Sequence, residues 1–527
     1  MEGLRSLKNA QAVPSGDVPR MGIEKFRESI IRSVAAGARL SALFGHPAED
    51  DRLMLLAVLA DDRAGELFVC STAVGRSYDS LTPDCPQAHL FEREIAEQWG
   101  VKPLGHPWLK PVRFQASSRP QQQQQPQDAD RMSATHTGKM PVPLCGVTDF
   151  FRVEGEEVHE VAVGPVHAGV IEPGHFRFQC HGENVLHLEI SLGYQHRGVE
   201  RAMIAGPPAN NPDRSMAGPP ARSIHYMETL AGDTTIGHAT AYCQLLEALA
   251  GCPVPARAQA LRGVALELER VANHVGDLGA LAGDVGFLPT ASYCGRIRGD
   301  VLNLTALMCG SRFGRGMVRP GGVGFDVDAG RIDEMLRRLS AITKDTAGSV
   351  HLLWETPSVQ ARLEGTGPVS AALAEQIGLV GPAARASSLE RDVRNHHPYG
   401  IYRFAHIPLA TWDSGDVFAR AYLRWLEIQR SLAFIGEQLR SLPEDAVTAK
   451  VGPPVGNRIG VSMVEGWRGE ICHVAMTDEQ GRFSRYKVVD PSFHNWFGLA
   501  CALRNQPISD FPLCNKSFNL SYCGHDL

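Results

Sequence analysis

At 527 residues, with 43% hydrophobic and 21% charged side chains, the chain is long enough for more than one domain and for large buried cores. A formal net charge of -6 gives no reason to expect nucleic acid or an anionic lipid surface as a partner. No run of about 18 apolar residues is present, which excludes a membrane-spanning helix, and MEGLRSLKNAQAVPSGDVPR carries neither an apolar h-region nor a small-residue cleavage site. A cytoplasmic chain that meets a membrane only through partners is therefore expected.

In chain order, IEKFRESIIRSVAAGA reads as a helix, and LMLLAVLADD and ELFVCSTAV as strands of a mixed sheet. FEREIAEQWGVKPLGHPWLKPVRF follows; Phe91, Ile95 and Trp99 form a helical stripe, and Gly100 stands where a C′ cap would end it. Residues 115–143 are rich in Gln, Pro and Ser, cannot bury enough surface to offset their ordering entropy, and read as a flexible linker. They divide an N-terminal domain (1–114) from a larger part (144–527). The larger part opens with a glycine-rich approach carrying His167 and His175. A β-hairpin comes next, in which Phe176, Phe178 and Cys180 alternate, Gly-Glu-Asn turns, and Leu186, Leu188 and Ile190 alternate again. PPANNPDRSMAGPPARS reads as a surface loop.

Helices dominate from there. Leu261, Val264, Leu268, Val271, Val275 and Leu278 form one apolar stripe, with Glu267, Arg270, His274, Asp277 and Asp284 beside it at spacings that allow pairing. A second long helix covers residues 413–442, with Asp413 or Ser414 as its N-cap. The twelve cysteines are scattered, and none forms a CxxC pair. Most read as small buried apolar residues, and there is no GxGxxG nucleotide fingerprint. Near the C-terminus, in VVDPSFHNW, Asp490 and Pro491 fix a turn ahead of Ser492.

FEREIAEQWGVKPLGHPWL resembles the signature of the 30-kDa-type subunit of respiratory complex I. GYQHRGVER, ELERVANHVGDLGALAGD, RPGGV, VGPAARASSLERDVR with HHPYGIY, EGWRGEICHV and DPSFHNW, in that order, resemble the 49-kDa-type subunit, which shares its fold with [NiFe] hydrogenase large subunits. The fusion of both modules, with EPGHFRF and ISDFPLCNKSFNLSY, looks closest to the large subunit of the membrane-bound group 4 enzymes of the formate hydrogenlyase and hydrogenase-4 type. The resemblance implies an α+β fold: a small α/β domain plus a large, mainly helical bundle with a β-hairpin region.

A nickel-iron site takes four thiolates, because soft sulfur holds these metals. The positions aligned with the family's two CxxC pairs are Ala231 and Thr234, then Ser492 and Asn495, so nickel and hydrogen chemistry are not expected. His238 and His494 do not rebuild a bridged thiolate site. In complex I the same cavity, without metal, receives a quinone headgroup near a 4Fe-4S cluster of the neighbouring small subunit. Reduction there needs donors to both carbonyl oxygens and an acid to resupply protons.

The resemblance assigns these roles to His175 and Asp284; the alternative is a turn histidine and a solvated carboxylate. The family's headgroup tyrosine aligns with Gly232 and its cluster-proximal histidine with Gly314, so Tyr242 or His238 would have to substitute. Arg197, Arg319 and Arg394 resemble cluster-proximal or core arginines, against a plainer role as partners of Glu200, Glu267 or Asp392. Three readings follow. The first is the core large subunit of a complex I-like oxidoreductase, passing electrons from an iron-sulfur subunit to a quinone-type acceptor and held to the inner membrane face by membrane-arm subunits. The others are a non-catalytic scaffold and a genuine hydrogenase. The chain alone is expected to bind no redox cofactor, and any NAD(P)H chemistry implied by the family name would belong to other subunits.

Overall fold

The computed structural model describes residues 3–48, 52–118, 145–146, 148–169, 171–204 and 222–527. Residues 119–143 of the linker and 207–221 of the Pro- and Gly-rich loop lie outside the described residues.

The chain begins with β1 (Arg5–Leu7), β2 (Gln11–Pro14), β3 (Arg20–Met21), α1 (Ile23–Ala35), β4 (Arg39–Pro47), β5 (Leu53–Asp61) and β6 (Glu66–Val74). β4, β5 and β6 form an antiparallel meander, to which β1 adds antiparallel and β3 parallel, both on β6. The expected helix and both strands are present. Nearly every residue of β5 is buried, so it reads as a continuous apolar run rather than an alternation. After β7 (Ser77–Asp79), α2 (His89–Trp99) buries Phe91, Ile95 and Trp99, and Gly100 ends it at φ 64, a left-handed conformation that suits glycine. β8 (Lys102–Leu104) then pairs with β7.

The expected hairpin is β10 (His175–His181) with β11 (Asn184–Ser191), in register Phe176↔Ile190 and Phe178↔Leu188. An irregularity at Gln179/Cys180 shifts the pairing, so Val185 is more deeply buried than Leu186. β9 (Val158–Val163) joins the outer side of β10. It carries no clean apolar alternation, because no residue along it is fully buried.

The helical part comprises α3 (Val199–Ile204), α4 (Ser223–Glu228), α5 (Thr235–Ala250), α6 (Ala256–Asp284) and α7 (Leu288–Cys309). β12 (Val318–Arg319), β13 (Gly322–Val323) and α8 (Ala329–Trp354) follow, then α9 to α12 (Pro357–Leu363, Ala371–Gln376, Gly381–Arg385 and Val393–His396) and α13 (Val417–Arg440). The stripe expected on α6 is fully buried, and so is most of its remaining circumference, since α7 and α13 both pack on it.

The N-cap of α13 is Asp416, not Asp413 or Ser414. Its carboxylate accepts from Ala419 N at 2.8 Å and from Ser414 Oγ at 2.8 Å. Gly415 sits between, at φ 64, with a built Cβ 2.1 Å from Val369 O, so this turn delays the helix past the nearer candidates.

The chain ends in β14 (Arg458–Gly466), β15 (Gly469–Thr477), β16 (Phe483–Val489), α14 (Pro491–Ala502), α15 (Phe511–Phe518) and α16 (Tyr522–Asp526). The sheet order is β16-β15-β14-β2, antiparallel throughout, so a strand of the N-terminal part completes the sheet of the larger part. Asn9 reinforces the seam: its Nδ2 donates to Met463 O at 2.9 Å and its Oδ1 accepts from Met463 N at 2.8 Å. Buried Lys487 holds Glu94 of α2 at 2.6 Å and Glu200 of α3 at 3.0 Å, and Arg39 holds both Asp62 and Glu470. The architecture is the expected α+β class, and the β16-β15-β14-β2 sheet adds to the hairpin region expected in the larger part.

Candidate functional site

Ala231 and Thr234 are buried in the turn that leads into α5. Thr234 Oγ1 accepts from Trp467 Nε1 at 3.2 Å and from Arg468 Nη1 at 3.3 Å, and donates to Asp233 Oδ1 at 3.2 Å. Arg468 grips the Asp233 carboxylate at 2.6 and 2.8 Å and donates from Nε to Asn519 O at 2.5 Å. The C-terminal segment is thereby drawn onto the turn. Arg197 adds to this by donating to Thr229 O (2.9 Å), Leu230 O (2.6 Å) and Cys523 O (2.9 Å), and the Gly232 N–H donates to the Cys523 thiol. Arg197 thus binds backbone carbonyls rather than a carboxylate, and Glu200 pairs instead with Arg485 and Lys487.

Ser492 and Asn495 are buried close by but otherwise engaged. Ser492 Oγ accepts from Ser521 N at 2.9 Å, placing it behind the C-terminal segment. Asn495 exchanges two hydrogen bonds with the Val380 backbone, at 3.0 and 3.1 Å. The stretch bound to the turn at residues 231–234 is therefore Asn519–Cys523, a role the sequence motif DPSFHN did not disclose. Its Cys523 brings a sulfur to the turn, and burial pushes that thiol up to about 11, so it stays protonated. An alanine, a threonine hydroxyl already holding three partners, a serine and an amide bound to backbone do not fit a soft-metal site. Among the described residues no group of three or more His, Cys, Asp or Glu side chains is placed to hold a metal ion.

His238 is fully buried, its Nε2 3.0 Å from Asp490 Oδ2 and its Nδ1 3.1 Å from His473 Nε2. His494 is also buried; its Nε2 has no partner among the described residues, and burial pushes the ring down to about 4. Tyr242 faces Tyr486, ring centroids 6.3 Å apart.

His175 begins β10 at the mouth of the glycine-rich approach. Its Nδ1 lies 3.2 Å from Gly164 O, its Nε2 accepts from Arg177 Nε at 3.4 Å, and Phe150 covers it at 5.3 Å between centroids. These contacts select the neutral tautomer protonated on Nδ1. His167 Nε2 is 2.8 Å from Gly174 O. Asp284, the exposed last residue of α6, is raised above its ordinary carboxylate value by partial loss of water, with Lys516 opposing. The hydrogen bonds of His175 go to Gly164 and Arg177, not to Asp284.

Residues 284–460 match the family described as the respiratory-chain NADH dehydrogenase 49 Kd subunit. The carbon monoxide-induced hydrogenase of Rhodospirillum rubrum is 31% identical over 362 residues, 68% of this chain and 97% of that protein. The chain belongs to the 49-kDa family. Formate hydrogenlyase subunit 5 of Escherichia coli is 26% identical over 459 residues, covering 84% of this chain and 76% of its own length. A subunit of the NADH-quinone oxidoreductase of Clostridium beijerinckii is 30% identical over 336 residues, 63% of this chain and 87% of its own length. Family membership thus spans proteins named for hydrogenase and for quinone chemistry. No helix among the described residues is long and apolar enough to cross a membrane.

In this family member the remaining arginines serve ion pairs. Arg319 holds Glu228 at 2.8 Å. Arg394 holds Asp392 at 2.6 Å and Glu267 at 3.1 Å, Arg385 holds Glu427 at 2.5 Å and Glu465 at 2.7 Å, and Arg424 holds Asp277 at 2.7 Å. His274 reaches Glu427 at 2.8 Å. Of the polar residues expected beside the α6 stripe, Glu267 and Arg270 pair with each other, whereas His274 and Asp277 pair across to α13.

Sequence reading also missed Glu269. Its carboxylate accepts from Ile236 N at 2.7 Å and Gly237 N at 3.1 Å, at the start of α5. It lines a cleft of about 310 Å³ with Asp233, Asn273, Arg298, Arg312 and Phe313. Burial outweighs those N–H donors and pushes Glu269 up to about 8. A helix-spaced glutamate beside Arg270 gives no sequence signal for this, because the cleft forms only where α5 and α7 pack beside α6.

Proposed function

We propose that the chain is the core large subunit of a membrane-associated, complex I-like oxidoreductase, taking electrons from a partner iron-sulfur subunit and passing them to a quinone-type acceptor without nickel. Family membership supports the oxidoreductase role. The observation that carries the nickel-free part is the engagement of Ala231, Thr234, Ser492 and Asn495, none of which offers a free soft donor. The acceptor would lie against the hairpin approach, the turn at residues 231–234 and the C-terminal segment, with His175 becoming a donor only when its Nε2 is protonated and released from Arg177, and with Asp284 or Glu269 resupplying protons. Glu269 suits that role because an acid titrating near 8 is protonated at neutral pH and can be reloaded from water. The names of the hydrogenlyase and NADH-quinone relatives are consistent with assembly into a larger complex, in which NAD(P)H oxidation would belong to other subunits.

One observation favours the scaffold reading instead: His175 is hydrogen-bonded to Gly164 and Arg177 and, among the described residues, not to Asp284. Metal analysis together with inhibitor-sensitive quinone reduction, on the complex purified with its partners, separates the readings. Substoichiometric nickel and quinone reduction that falls about tenfold or more in His175→Ala and Asp284→Asn are expected, the loss of one positioned donor or acid being worth roughly 10²–10⁴-fold at the most. Stoichiometric nickel means a hydrogenase. Unchanged quinone reduction in both variants removes the site assignment, and none at all in the unaltered complex leaves the scaffold.

A further inference from the structure

Behind the turn at residues 231–234 runs a chain of four buried side chains. Asp490, the N-cap of α14, accepts from Ser492 N with Oδ1 at 2.8 Å and meets His238 Nε2 with Oδ2 at 3.0 Å. His238 Nδ1 meets His473 Nε2 at 3.1 Å, and His473 Nδ1 meets the Tyr486 hydroxyl at 2.8 Å. All four residues are essentially inaccessible to water. At the near end the chain touches the C-terminal segment: a Cβ built on Gly524 falls 2.7 Å from the Asp490 carboxylate.

The hydrogen atoms along this chain have one consistent arrangement when Asp490 is ionised and both rings are neutral. Tyr486 donates to His473, His473 to His238, and His238 to Asp490. A second arrangement carries one more proton and satisfies the same atoms. In it His238 is protonated on both nitrogens and donates to Asp490 and His473, while His473 donates from Nδ1 to a Tyr486 hydroxyl that has rotated to accept. No heavy atom moves between the two, and in the second an imidazolium lies directly against a carboxylate.

We infer that Asp490, His238, His473 and Tyr486 form a one-proton store, which takes up a proton when negative charge arrives at the turn formed by residues 231–234. The inference rests on the reading that electrons reach this cavity. One electron leaves the partner subunit's iron-sulfur cluster, which is oxidised, and reduces a quinone-type acceptor at the turn to its semiquinone anion; one proton enters the store from bulk water, so the local net charge is unchanged.

The surroundings support an empty store at rest. Burial and the neighbouring His238 hold His473 well below the usual histidine range, although Asp490 and Glu200 oppose this. Burial alone would raise Asp490, but the hydrogen bond and charge of His238, with Arg468, keep it low. The other titratable groups facing the chain are Asp233 beside Asp490, and Tyr242 and Cys243 of α5, Cys472 of β15 and Glu200 of α3 around Tyr486.

The test uses the complex with its partner subunits and bound ubiquinone, given one electron per quinone from dithionite. Proton uptake is followed with a pH-indicating dye, and infrared difference spectra are recorded with isotope-labelled histidine. A histidine imidazolium band and uptake of a single proton on reduction are expected. Both should be lost in Asp490→Asn, which keeps the Oδ1 acceptor for the helix cap, and in His473→Gln, and both should return in Asp490→Glu. Absence of the band in the unaltered complex overturns the store, as does unchanged uptake in both variants. If quinone is reduced without the band, only the store falls; if quinone is not reduced at all, the acceptor reading falls and the store falls with it.

Discussion

Two buried polar regions lie within one fold and differ in kind. Between α6, α13 and the loops beside them, Glu267, Arg270, Arg385, Asp392, Arg394, Glu427 and Glu465 form a lattice of opposite charges. Behind the turn at residues 231–234, a single anion, Asp490, is followed by two imidazoles and a phenol. In the lattice each guanidinium is permanently charged and is held by at least one carboxylate, and of its carboxylates only Glu465, which burial and the neighbouring Asp392 push up to about 7, titrates near neutral pH. In the string the links are donors and acceptors that exchange roles when one proton is added. A buried lattice can carry architecture, whereas a buried string of titratable neutral groups can change state.

The largest expected effect comes from breaking the lattice. Arg385→Met leaves Glu427 and Glu465 short of a partner in a dry interior and should lower stability by roughly 3–5 kcal/mol, read from the denaturation midpoint. Adding Glu427→Gln should recover part of that loss; no recovery would mean that packing rather than charge sets the cost. Acid acts on the same lattice next. Burial opposes ionisation of Glu267, but Arg270 and Arg394 hold it down to about 2, from an ordinary 4.5, and Asp392 is likewise held to about 2 by Arg394 and Arg385. Because these folded-state values lie below the unfolded ones, their contribution is complete above about 4.5 and is lost as pH falls from there towards 2. Denaturation midpoints at about pH 6 and about pH 3 should differ sharply, and Glu267→Gln should narrow the difference.

At the string the effects are smaller. Gly524→Ala places a methyl group against the Asp490 carboxylate and should cost about 1–3 kcal/mol unless α16 shifts, which thermal melts would show. Ser492→Ala removes the buried acceptor of the Ser521 N–H and should cost on the order of 1 kcal/mol. A neutral result would mean that water reaches that amide.

Local pattern carried much of the fold. The stripe on α2 with its Gly100 cap, the β10–β11 hairpin and the long α6 and α13 all follow from periodicity and turn residues. The exceptions share one physical cause, which is that the deciding partner lies far away in sequence. Asp416 caps α13 because Gly415 packs on Val369, and three candidate caps within four residues look alike without that contact. β9 is an exposed strand recognisable only through its pairing with β10. At the candidate site, motif spacing pointed to Ala231, Thr234, Ser492 and Asn495. The grip of Arg468 and Arg197 on Asn519 and Cys523 is tertiary, as is the use that His238 makes of Asp490 and His473.

The pairing of β2 with β14 also bears on how the chain is made. Asn9 and Met463 exchange two hydrogen bonds across 454 positions of sequence, and β2 is synthesised long before the strand it completes. Such a contact closes late and slowly, and until it does β14 presents a bare edge of unpaired N–H and C=O groups. Folding of the larger part is therefore tied to the N-terminal residues still being at hand. The larger part expressed without residues 1–114 should then aggregate along that edge.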